Sequence, residues 1–175
     1  FFHGSRFIVP INVNFEHKKM FPGKLGPSTG EMGTSMFWSE ANRLFNQTLG
    51  KMEPLLAKER YVGYIDLNCI CNANGIYPLE FTSRFGYPTI FIQQEGMQTP
   101  IGQFFWDLAN GDDPKLKVKS GFQVGVRVIV PPYPFDDPGT FDSLSREAVI
   151  FFKRGTPEEV HIEDAKLVNG QWLVA

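Results

Sequence analysis

The sequence is short of several features that would narrow its chemistry. It holds two cysteines, too few for a disulfide framework or a multi-thiolate metal centre. Cys69 and Cys71 lie two apart on a strand-like run, with both side chains on one face. They read as small buried apolar residues in a reducing compartment, and the expected location is cytoplasmic. Three scattered histidines add no ligand cluster. No apolar run reaches membrane-spanning length. Charge of neither sign dominates: the net charge is −2, and no Lys/Arg run forms a basic field. Neither nucleic acid nor a membrane surface is therefore an expected partner. The first residue is Phe1 rather than Met, which reads as a piece of a longer chain.

What is present is apolar and aromatic. The chain is 42% hydrophobic, and its 17 phenylalanines are the obvious material for a core. Proline and glycine punctuate it throughout. Residues 6–15 read as a strand, and 16–33 as a Gly/Pro-dense loop. A helix is expected from Ser39, as N-cap, through Met52, with Pro54 kinking it or opening a second short helix. Residues 61–71 and 76–85 read as the arms of a hairpin around "NANG". Helices are expected over 88–94 and 100–110. The polar run "GDDPKLKVKS" is the candidate boundary between two domains, 1–115 and 116–175. Beyond it, strands are expected at 123–130, at 148–153 and in two runs near the end, with "PPYPFDDPGT" as a loop.

The hairpin carries the strongest chemical signal. Strand periodicity places Ile65, Leu67, Cys69 and Cys71 on one face and Tyr64, Asp66, Asn68 and Ile70 on the other. On the second arm Leu79, Phe81 and Phe85 alternate with Glu80, Thr82 and Arg84. One face is thus apolar and expected to pack on helices. The other gathers oxygen donors at Asp66, Asn68, Glu80 and Thr82, with Arg84 beyond. Pattern alone also fits a sheet with a solvated outer face. Carboxylate and amide oxygens beside an arginine suit Mg²⁺ together with phosphate. A second segment, "GPSTGEMG" (26–33), has glycines that permit close backbone approach to an anion. It is neither a Walker A loop nor a Rossmann fingerprint. His17, Lys18 and Lys19 stand just upstream.

Taken in order, "HKK…GPSTGEMGT", "KMEPLLAKE" and "YVGYIDLNCICNANGIYPLEFTSRFGYP" resemble the second half of phosphoribosylamine–glycine ligase, an ATP-grasp enzyme of purine synthesis. "FFWDLANGDD" and "VGVRVIVPPYP" extend the likeness over nearly the whole chain. The resemblance implies an α+β fold: the C-terminal lobe of an ATP-grasp domain, an antiparallel sheet flanked by helices, followed by a small mostly-β domain. It implies ATP and Mg²⁺ (or Mn²⁺) as cofactors, and small carboxylate and amine substrates joined through an acyl phosphate. It assigns metal binding to Glu80, with Thr82 at the position of the family's Asn ligand and Asn68 on the preceding strand. Arg84 takes the catalytic, phosphate-facing role, with His17 and Lys18 also near phosphate. Pro27, Ser28, Thr29, Gly30, Met32 and Gly33 fall where the family lines its substrate pocket. Ser28, Glu31, Thr82 and Tyr87 differ from the residues typical there. A divergent, non-catalytic ATP-grasp-like binding or regulatory module is the alternative.

Overall fold

The computed structural model describes residues 1–153 and 158–175. It mixes helices with small sheets, and the pairings of β1 (Phe2–His3) with β4 (Val62–Gly63), of β5 (Asp66–Asn72) with β6 (Gly75–Thr82), and of β8 (Val149–Ile150) and β9 (Ala165–Val168) with β10 (Gln171–Val174) are all antiparallel. A further sheet has the order β2 (Ile11–Phe21), β3 (Leu25–Ser39), β7 (Phe122–Val126). Compactness divides the chain into residues 1–16 with 33–125, and residues 17–32 with 126–175. This division falls elsewhere than the boundary expected after residue 115.

In the first unit the core forms around α4 (Ile101–Asn110). Phe104 and Leu108, four apart on one helical face, are buried with Ile8, Met97 and Leu116. Phe1, Ile101, Phe105 and Val118 pack around them. The helix ends at Gly111, whose left-handed backbone (φ 79°) lets its N–H reach back to the carbonyls of Asp107 and Leu108. α3 (Thr89–Gly96) matches its expected position and buries Ile92 and Gln93. Gly125 of β7 permits the close approach of α3 to the sheet, because a Cβ there would collide with the Ile92 side chain.

Two expectations need correction. The segment 16–33 is not a loop but most of a long hairpin, turning through a short 3₁₀ element at Pro22–Lys24. Its glycines and prolines hide the alternation by which a strand is recognised. Gly26, at φ 79°, lies so close to the Phe21 ring that a Cβ would sit 2.7 Å from it. The single helix expected from Ser39 is also broken. Ser39 ends β3, and α1 (Arg43–Gln47) is capped by Asn42, whose side chain accepts the Phe45 N–H at 3.0 Å. The Thr48 hydroxyl bonds back to the Leu44 carbonyl, and 3₁₀ geometry over Leu49–Met52 carries the chain into α2 (Glu53–Lys58).

In the second unit the strands β8–β10 form an antiparallel sheet. The loop expected at 131–140 runs into a helix, α5 (Pro138–Leu144). Asp137 caps it, accepting the Thr140 N–H at 3.2 Å and hydroxyl at 2.6 Å, which holds its carboxyl below the usual range.

The Gly125–Ile92 contact makes a specific prediction. Gly125→Ala overpacks the α3–β7 contact and should cost about 1–3 kcal/mol. Gly102→Ala, in α4 with nothing within 4 Å of the new methyl, should instead stabilise by about 0.5–1 kcal/mol. Urea unfolding of both variants checks the pair.

Candidate functional site

The β5–β6 hairpin closes as "NANG" suggests. The Asn72 carboxamide accepts the Asn74 and Gly75 N–H groups at 2.8 and 3.2 Å, an Asx turn that reverses the chain. Cross-strand register then sets the face. Asp66 lies opposite Thr82, Leu67 opposite Phe81, and Asn68 opposite Glu80. Directly opposed residues point to the same side of a two-stranded sheet, so the four oxygen-bearing residues share one face as two adjacent pairs. Beyond Asn68 the register shifts, and Cys69 faces Pro78. Leu79 is therefore an extra residue on β6, and strict alternation does not continue past it.

Arg84 differs from its expected placement. β6 ends at Thr82, so Arg84 lies beyond the paired strand and not on the ladder with Glu80. Its side chain is exposed, and Nη1 donates to the Phe85 carbonyl at 3.0 Å. What fixes this exit is Phe85, whose ring meets Tyr64 at 5.2 Å and Phe105 of α4 at 5.5 Å. Sequence alternation read Phe85 as one more core residue and missed this anchoring role. The signal available was its place between Arg84 and a glycine, in a chain whose aromatics form the core.

The expected burial of the apolar face is also corrected. Leu79 is 62% and Phe81 53% exposed, while Ile65, Leu67 and Cys69 are half-buried. Among the described residues β5 and β6 pair only with each other, and two strands by themselves bury little of either face. Both cysteines are free. Burial, then Cys71 and Asp66, push the Cys69 thiol up, while Cys71 is exposed, against the expected burial of both.

The other candidate group lies on the second unit's part of the β2–β3 hairpin. The Thr29 hydroxyl donates to the Lys18 carbonyl at 2.9 Å, so the glycine-rich run and the basic run are neighbours across two strands. His17 Nε2 is 3.2 Å from the Phe21 carbonyl. Ser28 and Gly30 are exposed, Pro27 and Thr29 half-buried, and Met32 buried. Gly33 belongs to the first unit, as do Asn68, Glu80, Thr82 and Arg84. Apart from Gly33, the two groups thus belong to different units.

As a ligand set, the hairpin face offers the carboxylates of Asp66 and Glu80, the amide of Asn68 and the hydroxyl of Thr82. Among the described residues no three of His, Cys, Asp and Glu are grouped to hold a metal. The four side chains are oxygen donors, the ligand type that hard cations take alongside phosphate and water.

Comparison with known proteins gives the class first. A phosphoribosylamine–glycine ligase of Thermotoga maritima superposes on 98% of the chain with a TM-score of 0.64, at 22% identity, using 42% of that structure. At that identity the match shows the fold. Curated sequences point to the same enzyme. The chain is 31% identical over 144 residues to the phosphoribosylamine–glycine ligase of Streptococcus pyogenes, covering 78% of this chain and 34% of the relative. It is 29% identical over 142 residues to that of Lactococcus lactis, covering 77% of this chain and 34% of the relative. With the enzyme of Halalkalibacterium halodurans it shares 25% over 181 residues, 97% of this chain and 41% of the relative. The chain is thus similar to phosphoribosylamine–glycine ligases over a segment that fits their C-terminal part, and it spans about a third of the length of these curated relatives from Streptococcus pyogenes and Lactococcus lactis. No protein-family model matches it. No helix of the described residues is long and apolar enough to cross a membrane.

Phe85, with its two ring contacts, and the exposed Glu80 differ in what they hold in place. Phe85→Ala removes two ring contacts, each worth about 0.5–1.5 kcal/mol, and should lower the midpoint of unfolding. Glu80→Gln, on an exposed side chain, should leave it nearly unchanged. Thermal unfolding followed by circular dichroism distinguishes the two.

Proposed function

We propose that this chain is part of an ATP-dependent carboxylate–amine ligase, similar in reaction to phosphoribosylamine–glycine ligase of purine synthesis, which uses ATP and Mg²⁺ (or Mn²⁺). The observation that carries the reading is the pairing of Asn68 with Glu80 and of Asp66 with Thr82 on one hairpin face, in a chain whose relatives bear that enzyme's name. In this reading residues 1–115 form the C-terminal lobe of an ATP-grasp fold, and 116–175 begin a small β-rich domain.

The protein's task in such a reaction is positioning and charge neutralisation. Glu80 holds the cation, with the Asn68 amide and the Thr82 hydroxyl as further oxygen donors. When bound, the cation supplies Lewis-acid stabilisation of the phosphates. Arg84, beyond the end of β6, stabilises charge on the transferred phosphoryl group. His17 and Lys18 serve the phosphates. Pro27 to Gly30, with Met32 and Gly33, line the pocket for the carboxylate and amine substrates. ATP phosphorylates the substrate carboxylate, ADP leaves, and the amine displaces phosphate from the acyl phosphate. Ser28, Glu31 and Tyr87 adapt the pocket away from the family's usual residues, so the acid and the amine need not be glycine and phosphoribosylamine.

Steady-state kinetics of the intact protein test this. Glu80→Gln should cut turnover about 10²–10³-fold, the range for losing one preorganised charge-stabilising contact, with the melting temperature unchanged. Thr82→Asn should keep or tighten Mg²⁺ binding. Normal turnover in Glu80→Gln would refute the assignment of the cation to this hairpin. ATP binding without turnover in the wild type would favour a non-catalytic module.

A further inference from the structure

The sheet face beneath α3 contains polar atoms that a well-packed interior does not ordinarily leave unpaired. Each strand of the β2–β3–β7 sheet contributes one polar residue with such an atom: Asn12 through Nδ2, Trp38 through Nε1 and Gln123 through Oε1. The helix adds a fourth, Oε1 of Gln93, a residue only 3% exposed. All four atoms are buried without a hydrogen-bond partner. Such groups are rare in native proteins and call for a physical cause.

Their arrangement supplies one. Gln93 and Gly96 are three apart on α3 and so share a face. The Gln93 side chain is tied to the sheet, its Nε2 donating to Asn12 Oδ1 at 3.3 Å. Gly96 offers no side chain, and the position its Cβ would take is 2.7 Å from Trp38 Nε1 and 2.9 Å from Gln123 Oε1. The unpaired indole donor and the unpaired amide acceptor therefore flank the same bare stretch of helix backbone. The four atoms comprise two donors and two acceptors. Exchanging N and O in both the Asn12 and Gln93 amides keeps one bond and still leaves one donor and one acceptor, so the inventory does not depend on that assignment.

We propose that Asn12, Trp38, Gln93 and Gln123 enclose a buried water site beside Gly96, which joins α3 to all three strands. A cation would be repelled by the two donors and an anion by the two acceptors. One water, which accepts two hydrogen bonds and donates two, complements the set, and buried waters commonly make two to four such bonds. The glycine at 96 is then part of the site, because any side chain there would press on the Trp38 and Gln123 atoms that bind the water.

Trp38 provides a direct probe. Its indole N–H resonance, assigned by its loss in Trp38→Phe, should show a cross-relaxation peak to a long-lived water. Gly96→Ala should abolish that peak while the backbone amide spectrum stays dispersed. A crystal structure of the unaltered chain covers the case in which Gly96→Ala does not fold. It should show a water about 2.7–3.2 Å from both Trp38 Nε1 and Gln123 Oε1. A direct Trp38–Gln123 hydrogen bond, a dry contact there, or an indole proton without a water peak in the unaltered chain would overturn the proposal.

Discussion

One extra residue governs the candidate site. Leu79 has no counterpart on β5, and the register shift it creates lies immediately beside the Asn68–Glu80 pair. From that pair toward the strand exit, even-numbered residues of both arms face the same way. From it toward the turn, odd-numbered residues of β6 face even-numbered residues of β5. Moving the bulge two residues along β6, beyond Glu80, would send its carboxylate to the face of Leu67 and Phe81. Bulges recur where a protein must aim a side chain, and here the bulge sets the limit of the four-residue oxygen face.

Held register is of little use on a hairpin free to move, since two strands alone are marginally stable. The aromatic residues supply the attachment. Phe85 connects the end of β6 to Tyr64, ahead of β5, and to Phe105 of α4. Phe1 packs edge-on against Tyr64, Phe104 and Phe105, at 5.5, 4.8 and 5.9 Å. The open end of the hairpin, where Asp66 and Thr82 pair, is thereby tied to the buried face of α4. The turn end at Asn72–Gly75 has no such attachment among the described ring contacts. The abundance of phenylalanine thus acts at the site as well as in the core: rings fix the backbone from which the polar side chains project.

The hairpin was legible because three local signals agreed. Alternation, the Asn-Ala-Asn-Gly turn and the isolated Glu80 all pointed to one structure. The bulge was not legible, because Pro78 and Leu79 look the same to a period-two reading whether or not one of them is extra. The helices expected over 88–94 and 100–110 stand close to those bounds, as α3 and α4. The helix expected from Ser39 does not, because Asn42 is the residue whose side chain meets the helix N–H, and Thr48 and Gly50 interrupt propagation. Residues 16–33 misled for the opposite reason. Glycine and proline normally signal loops, yet β2 and β3 run through them as a long hairpin. The apolar hairpin face shows the limit of pattern reasoning most clearly: Leu79 and Phe81 have the spacing of core residues and are exposed.

In the proposed function a hard cation meets phosphate at the Asn68–Glu80 face. Crystals grown with Mn²⁺ and ATP, measured at the manganese absorption edge, locate the ion without reference to activity. The expected result is an anomalous peak within coordination distance of a Glu80 carboxylate oxygen, with Asn68 or Thr82 oxygen or a phosphate completing the shell. A peak on other carboxylates, with the Glu80 side chain uncoordinated in the presence of bound ATP, would contradict it.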